Sequence, residues 1–306
     1  MPIVGPESIG EVSERLALGD AVVLPTETVY GLACNALDPI AVARVYDLKG
    51  RPAQNPLIVH VLDAAHAASL AGDWPCVADS LVAEFWPGPL TLVVSRGIAI
   101  PHIVCAGLGT VALRAPNHPV FRAVLQASGL ALAAPSANRS GALSPTTAAA
   151  AVEAMESPNL LVVEGGECLW GLESTVLDVS SGTPVLLRPG PICIAEIERC
   201  LGEKIEIGGD STEPRSPGMI GRHYAPKTPV RLALRLEPGD SGLTLGESAS
   251  AAQVEMPSDP VKYGALLFAS LRALDALGAS EIVVQQPPEE PDWDAVNDRL
   301  RRACQS

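Results

Sequence analysis

Short apolar segments of strand length recur along this chain, and several of them end in polar or cationic side chains. Residues 21–24 form one such segment and are followed by Thr26 and Thr28. Residues 110–113 form another, which ends at Arg114. Segments with helical periodicity separate them, without a consistent internal repeat. Alternating strands and helices with polar groups at strand ends are typical of an α/β sheet with its site along one edge.

The local signals for a helix are strongest after residue 37. Asp38 and Pro39 supply an N-cap and a first-turn proline, and the apolar residues of the segment 40–48 lie at helical spacing. Gly50 follows Lys49, a pair typical of a helix C-terminus. We therefore predict a helix over residues 39–49.

Two cations lie at the end of this helix, before a strand predicted over residues 57–61. Lys49 is a compact charge and Arg51 a planar fork of donors, which are the two cationic groups that proteins use on phosphates. Asn55 lies in the turn and His60 in the strand. The residues alone leave two interpretations open: an anion site, or cations that cap the last helical carbonyls with a hydrogen-bonded core histidine.

A second polar loop, residues 135–141, follows the short strand predicted over residues 130–134. Its small hydroxyl and amide side chains allow the backbone to approach a ligand, with N–H groups available for phosphate oxygens. The alternative is a polar turn that caps a helix beginning near Pro145, and Ser144 fits both uses. Neither GxxxxGK[ST] nor GxGxxG is present, so a nucleotide would not be bound in the P-loop or Rossmann manner. His118 is expected to be a surface residue near the N-terminus of the helix that begins at Pro119.

The chain of 306 residues has room for two domains, and with 47% hydrophobic and 18% charged residues it can bury a sizeable core. A Gly/Pro/Ser-rich stretch begins at residue 208 and indicates a linker. We predict a first α/β domain at residues 1–206, a linker at 207–229 and a small α/β domain at 230–306. In the last, a helix over residues 261–277 would bury Leu266, Leu267, Leu271, Leu274 and Leu277.

Charge and cysteine content restrict the partners and the compartment. The net charge is −14, with 12 acids against 7 bases from Pro229 onward, so both parts are acidic. This disfavours stable nucleic-acid binding, because phosphate backbones are held mainly by Lys and Arg. The seven cysteines never form CxxC, no apolar run approaches membrane-spanning length, and no secretory signal is evident. These features predict a cytoplasmic protein that has no membrane-spanning segment and no metal ion held by its own side chains.

Seven short motifs occur within about residues 15–205 in the same order as in one protein family: PTETVYG, KGRP, NPLIVHV, GPLTLVV, APSANRSG, GLESTVLDV and LRPG. On these motifs the chain resembles the threonylcarbamoyl-AMP synthases with the YrdC-like fold. The resemblance implies a twisted, open, mixed sheet with flanking helices and a small Rossmann-like C-terminal domain on a long linker. SPGM at 216–219 and HYAP at 223–226 fit the linker of the larger members, which folds over the cavity.

The resemblance also implies an activity. L-Threonine, bicarbonate and ATP, with Mg²⁺ on the triphosphate, would give threonylcarbamoyl-AMP and pyrophosphate, and a transferase would pass the threonylcarbamoyl group to tRNA. A related enzyme that makes another carbamoyl-adenylate is the main alternative. An RNA-binding module is the second alternative, and the acidic charge disfavours it.

The family motifs assign roles to individual residues. The reaction centre would use Lys49, Arg51, Ser136 and Asn138. ATP would be bound by Arg51, Asn55, Thr110, Ser136, Ser144, Arg188 and Tyr224. Threonine would be bound by Thr28, His60, Arg114, the backbone of Ala134, and Ser174. The guanidinium of Arg114 would grip the amino-acid carboxylate. The role of Trp170 stays open between core, lid and specificity wall.

Overall fold

The structure is a computed structural model that describes residues 1–208, 224–248 and 250–305. The linker motif at 216–219 and His223 lie outside these residues. The first sheet ends with residue 207 and the second begins with residue 230. We call the parts that contain them the N-terminal and the C-terminal unit. The predicted domain boundaries stay predictions.

The N-terminal unit is built on a large mixed sheet. Its strands in the described residues are β1 (Ile3–Val4), β2 (Val22–Leu24), β3 (Gly31–Asn35), β4 (Ile58–His60), β5 (Ala71–Asp73), β6 (Leu90–Arg96), β7 (Thr110–Arg114), β8 (Leu132–Ala133), β9 (Leu161–Val163), β10 (Thr175–Asp178), β11 (Val185–Arg188) and β12 (Glu206–Ile207). Their order is β1-β9-β2-β3-β8-β4-β7-β6-β10-β11-β12, with β5 paired to β6. The fold class predicted from the sequence is confirmed.

Helices cover both faces of this sheet. They are α1 (Ile9–Ala17), α2 (Pro39–Lys49), α3 (Ala64–Leu70), α4 (Cys76–Phe85), α5 (Pro119–Ser128), α6 (Ala148–Met155) and α7 (Ile194–Leu201), with a 3₁₀ turn at Pro6–Ser8. Because successive strand residues point to opposite faces, Val22 and Leu24 belong to one buried cluster with residues of α1 and α5, whereas Val23 belongs to another with residues of α2 and α4. Strands such as β2, β4 and β9 are therefore buried on both sides.

The helix predicted after residue 37 forms as expected. The Asp38 carboxylate accepts hydrogen bonds from the N–H groups of Ile40 and Ala41, and Pro39 takes the first helical position. Gly50 adopts a left-handed conformation with φ 59° and ends the helix. Local chemistry thus determines both ends of α2 and positions Lys49 and Arg51.

No element is predicted from the sequence over residues 31–35, which form β3. Two expectations need correction. Thr147, rather than Ser144, caps α6 by accepting the N–H of Ala150. His118 is half-buried: its Nδ1 accepts the N–H of Val120, and its Nε2 lies 3.2 Å from the carbonyl of Gly165.

The C-terminal unit is a parallel sheet with two helices. Its strands are β13 (Val230–Ala233), β14 (Gly242–Thr244), β15 (Gln253–Glu255) and β16 (Ile282–Gln285), in the order β13-β16-β14-β15, and its helices are α8 (Pro260–Ala276) and α9 (Asp294–Ala303), preceded by a 3₁₀ turn at Pro291–Trp293. The predicted apolar stripe of α8 is wrong at two positions, since Leu266 is 44% and Leu277 63% exposed. Tyr263 and Phe268 are buried instead.

The two units share a hydrophobic core. Val29, Leu143 and Leu172 of the N-terminal unit belong to the same buried cluster as Leu267 and Phe268 of α8. A close approach is possible because Gly171, with φ 65°, has no side chain: a Cβ there would lie 2.6 Å from the Cα of Ala265. The C-terminal unit therefore packs directly against the loop that leads into β10.

Candidate active site

One cavity collects most of the residues singled out in the sequence. Its lining includes nine of the fourteen predicted site residues: Thr28, Arg51, His60, Arg114, Ala134, Ser136, Ser174, Arg188 and Tyr224. Thr26, Val29, Gly31, Ile58, Pro135 and Glu173 complete the lining. These residues span positions 26 to 224, so the cavity exists only in the folded chain.

The cavity lies against one face of the sheet as well as at strand ends. Ile58 and His60 are two residues apart on β4 and therefore share a face. Their partners in register on the parallel strand β7 are Ala112 and Arg114. This pairing places the imidazole and the guanidinium side by side. The expected position along one edge is thus only part of the geometry.

Arg114 is held in place by three groups. Its Nε donates to the carbonyl of Gly88 at 3.1 Å, and its Nη1 donates to the hydroxyl of Thr28 at 3.0 Å. Its Nη2 lies 2.7 Å from Oε1 of Glu27, and both side chains are almost fully buried. That contact is an ion pair without hydrogen-bond geometry, since Nη2 and both Glu27 oxygens lack a hydrogen-bond partner among the described residues. The interaction is therefore mainly Coulombic.

His60 is a neutral base in this cavity. Burial and the nearby charge of Arg114 lower its pKa to about 3. Its ring lies 5.1 Å from that of Phe121, and its Nδ1 has no hydrogen-bond partner in the described part of the chain. A neutral imidazole beside a guanidinium can accept or donate one hydrogen bond to a ligand without adding charge.

Arg51 is locked onto the turn before β4. It donates from Nε to the carbonyl of Asn55 at 3.0 Å, and from Nη2 to Oδ1 of Asn55 at 2.7 Å and to the carbonyl of Pro56 at 2.8 Å. Burial, with a contribution from Arg188, lowers its pKa to about 10. Because its bonds to the turn fix its orientation, the guanidinium is preorganised for an anion.

Lys49 lies behind the loop that carries Ser136 and Asn138. Its Nζ donates to the backbone carbonyls of both residues, although the side chain is buried. Burial and the charge of Arg51 lower its pKa. The amide of Asn138 donates to the carbonyls of Arg139 and Ala142. Its Oδ1 is buried without a hydrogen-bond partner among the described residues. Lys49 thus fixes the shape of this loop.

Two residues join the ends of β10 and β11. The Nε and Nη2 of Arg188 donate to the carbonyl of Ser174 at 3.1 and 2.9 Å, and Nη2 lies 3.2 Å from the Ser174 hydroxyl. Ser174 also shares a hydrogen bond of 2.8 Å with Thr91. Both residues are buried at the cavity wall, so their side chains have little freedom.

Five predicted site residues do not line the cavity: Lys49, Asn55, Thr110, Asn138 and Ser144. Lys49, Asn55 and Asn138 lie behind lining residues, as described above. The hydroxyl of Ser144 donates to the carboxylate of Glu173. Thr110 begins β7 and Arg114 ends it, so the two lie about 13 Å apart along the strand. The assigned roles stay predictions.

The structure adds residues that the sequence did not assign. Glu173 lines the cavity and Glu27 lies behind Arg114. Both belong to the quoted motifs, which was the available signal, but neither carries a role there. Trp170 lines a separate groove between the two units, and its backbone N–H donates to the carbonyl of Glu27. It is thus not a wall of this cavity.

Within residues 1–208, 224–248 and 250–305, no group of three or more His, Cys, Asp or Glu side chains is arranged to hold a metal ion. No helix in the same ranges has the length and the apolar character that a membrane span requires.

Comparisons with known proteins agree with the motif assignment. The family model Sua5_yciO_yrdC, described as telomere recombination, matches residues 14–190. A second model, described as the C-terminal domain of threonylcarbamoyl-AMP synthase, matches residues 192–305. The two models together account for nearly the whole chain.

Individual relatives extend over both units. The threonylcarbamoyl-AMP synthase of Pyrococcus abyssi is 39% identical and aligns over 97% of this chain and 95% of its own. That of Bacillus subtilis is 44% identical over 73% of this chain and 66% of its own. The crystal structure of P. abyssi Sua5 complexed with L-threonine superposes with a TM-score of 0.92 at 34% identity, covering 99% of this chain and 98% of that one. The chain therefore belongs to the threonylcarbamoyl-AMP synthase family.

Proposed function

We propose that this chain converts L-threonine, bicarbonate and ATP to L-threonylcarbamoyl-AMP, pyrophosphate and water. The observation that carries the proposal is the convergence of three buried guanidinium groups, those of Arg51, Arg114 and Arg188, on one cavity lined by hydroxyls. A zwitterionic amino acid carries a carboxylate, and bicarbonate and a triphosphate are anions. Buried, preorganised cations are the groups that stabilise such substrates and their transition state.

The amino-acid end of the cavity is assigned to the region around Arg114. Its guanidinium, positioned by Glu27 and Thr28, would bind the threonine carboxylate. His60 and Ser174 would hydrogen-bond the remaining polar groups, with Thr28 and the backbone of Ala134 beside them. Because His60 is neutral, it does not compete with Arg114 for the carboxylate.

The nucleotide end is assigned to Arg51, Ser136, Arg188 and Tyr224, with Asn55, Ser144 and Thr110 as further contacts. The threonine amine adds to the carbon of bicarbonate with loss of water, which gives a carbamate. A carbamate oxygen then attacks the α-phosphorus, and the bond to the β-phosphate oxygen breaks to release pyrophosphate. Arg51, together with Lys49 and the loop of Ser136 and Asn138, would hold the phosphates in line and balance their charge.

The cavity suits a Mg²⁺ ion carried by the triphosphate. Of the cavity's acidic neighbours, Glu27 lies against Arg114 and Glu173 is bound by Ser144 and Arg299, so neither is arranged as a metal ligand. Mg²⁺ would thus be held mainly by phosphate oxygens and water, with the hydroxyls of Ser136 and Ser174 nearby. When bound, it would neutralise charge on the departing pyrophosphate.

We further propose a cytoplasmic location and a tRNA threonylcarbamoyl transferase that receives the product. The seven cysteines, all in the described part of the chain, are free thiols, which fits a reducing compartment. The net charge of −14 supports transfer of a small adenylate to the partner rather than stable RNA binding by this chain.

The test incubates the purified protein with ATP, Mg²⁺, bicarbonate and each amino acid in turn. Pyrophosphate release and the adenylate, identified by mass spectrometry, are expected only with threonine and bicarbonate. Arg51→Ala should abolish the product, because it removes the three bonds that hold the turn and a cation of the cavity. Arg44→Ala is the matched control, since Arg44 lies on the exposed side of α2.

Two outcomes would contradict the proposal. Product with another amino acid but not with threonine would indicate a related carbamoyl-adenylate synthase. If no amino acid gives product, the RNA-binding alternative becomes the hypothesis to test. Salt-sensitive tRNA binding would support it.

A further inference from the structure

The last helix of the C-terminal unit carries an arginine that reaches the wall of the cavity. Arg299 lies on α9, and its side chain is fully buried. Its neighbours Arg301 and Arg302 are at least partly exposed. Burying a guanidinium is costly unless its donors are satisfied. Arg299 is therefore a structured part of the interface between the two units.

Arg299 binds the loop that carries Ser174, assigned to the threonine end of the cavity, and the turn after Arg188, assigned to the nucleotide end. Its Nε donates to Oε2 of Glu173 at 2.8 Å, and its Nη2 donates to the carbonyl of the same residue at 3.2 Å. Its Nη1 donates to the carbonyl of Pro189 at 3.1 Å. Ser174 directly follows Glu173, and Arg188 directly precedes Pro189, so both substrate-site residues lie one residue from a contact of Arg299.

Glu173 transmits this contact to a further site residue. Its second carboxylate oxygen, Oε1, accepts a hydrogen bond from the hydroxyl of Ser144, so Arg299, Glu173 and Ser144 form a continuous chain of hydrogen bonds. Ser144 is a predicted ATP contact. Its hydroxyl orientation thus depends on a carboxylate that the C-terminal unit holds in place.

The same guanidinium covers Tyr224. Its Cζ lies 5.1 Å from the centroid of the Tyr224 ring, which also stacks on Phe268 of α8 at 5.7 Å. Tyr224 has φ 60°, a left-handed conformation that a residue with a side chain adopts only when its surroundings impose it. The stacking contact with Phe268 and the cation–π contact with Arg299 both come from the C-terminal unit.

Charge is the strongest reason for the arginine. Glu173 lines a cavity that we assign to a polyphosphate, where a free carboxylate would oppose binding. Arg299 pairs with this carboxylate, while Asp298 pairs with Arg299 and Arg302. The charge of Arg299 thus offsets that of Glu173 at this wall of the cavity.

We propose that Arg299 is a positioning residue of the synthase, through which the C-terminal unit neutralises Glu173 and holds Ser144 and Tyr224 for ATP. The proposal rests on the proposed function for the identity of the nucleotide. It gives the C-terminal unit a defined role in the site.

The test measures the binding of α,β-methylene-ATP with Mg²⁺ by calorimetry, which requires no turnover. Arg299→Met should weaken binding about tenfold or more, because an unpaired carboxylate then lies in the site. Glu173→Gln added to Arg299→Met should restore the dissociation constant to within about threefold of the wild type, because the amide keeps the shape without the charge. Arg301→Ala, on the exposed side of α9, is the matched control and should bind like the wild type.

Three results would overturn the proposal: unchanged binding by Arg299→Met, failure of Glu173→Gln to restore it, or no nucleotide binding by the wild type. A purely structural role predicts that the double variant stays as weak as Arg299→Met. If Arg299→Met does not fold, Arg299→Lys provides the test. It keeps the charge and should bind within about threefold of the wild type, whereas tenfold weaker binding by a folded Arg299→Lys would overturn the charge argument. Wild-type binding of the nucleotide without threonine-dependent product would instead contradict the proposed function alone.

Discussion

Replacing Arg114 with methionine should show that a buried ion pair supports the threonine end of the cavity. Arg114 is 3% and Glu27 is 5% exposed, and their charged atoms are 2.7 Å apart. Methionine fills much of the same volume but leaves the Glu27 carboxylate without its counter-charge. No hydrogen bond from another described residue compensates that carboxylate.

The expected loss of stability follows from this burial. Removing one partner of a buried ion pair typically costs about 3–5 kcal/mol, because the remaining charge is uncompensated. Adding Glu27→Gln removes that charge, so the double variant should lose only about 1–2 kcal/mol, mainly from the hydrogen bonds to Gly88 and Thr28. The double variant should therefore be about 1–4 kcal/mol more stable than Arg114→Met alone.

Urea unfolding of the wild type, both single variants and the double variant measures this coupling. The exposed pair Arg15 and Glu11 on α1 is the control, with side chains 40% and 53% exposed. Its coupling should stay below about 0.5 kcal/mol. A double variant no more stable than Arg114→Met, within about 0.5 kcal/mol, would refute the argument.

Two further predictions concern stability. Because the pKa of His60 is lowered to about 3, the unfolded chain binds more protons between about pH 3 and 6.5. The contribution of His60 to the free energy of unfolding is therefore complete above about pH 6.5. It is lost as the pH falls towards 3, by up to about 1.4 kcal/mol per pH unit. His60→Gln should flatten the pH dependence of unfolding, whereas exposed His102→Gln should not; equal slopes would contradict the assignment. Gly171→Ala should lower the melting temperature more than Gly107→Ala, since both have positive φ but only Gly171 touches α8. An equal decrease in melting temperature for the two variants would mean that α8 does not pack closely against the loop that contains Gly171.

Local chemistry made several elements predictable from the sequence. The N-cap at Asp38, the first-turn Pro39 and the left-handed Gly50 act within a few residues, so α2 and its two cations could be located without tertiary information. Short-range signals also positioned polar residues at the ends of β4 and β7.

Burial of helix faces was less predictable. In α8 the leucine pattern favoured Leu266 and Leu277, but both are exposed, whereas Tyr263 and Phe268 pack inward. Several leucines lie near the apolar stripe, and the neighbouring strands decide which of them it buries. Periodicity alone contains no information about that neighbour.

The sequence by itself determined the family, the α/β class and the residue types of the site, because these follow from short motifs and local periodicity. Only the tertiary structure decided how they meet. The register of β4 on β7 sets His60 beside Arg114, and β3 enters the sheet between β2 and β8. Arg299 reaches Glu173 across 126 positions of the chain. In the sequence it is one of four basic or apolar letters in RLRR, and its role depends on long-range burial, which no local pattern encodes.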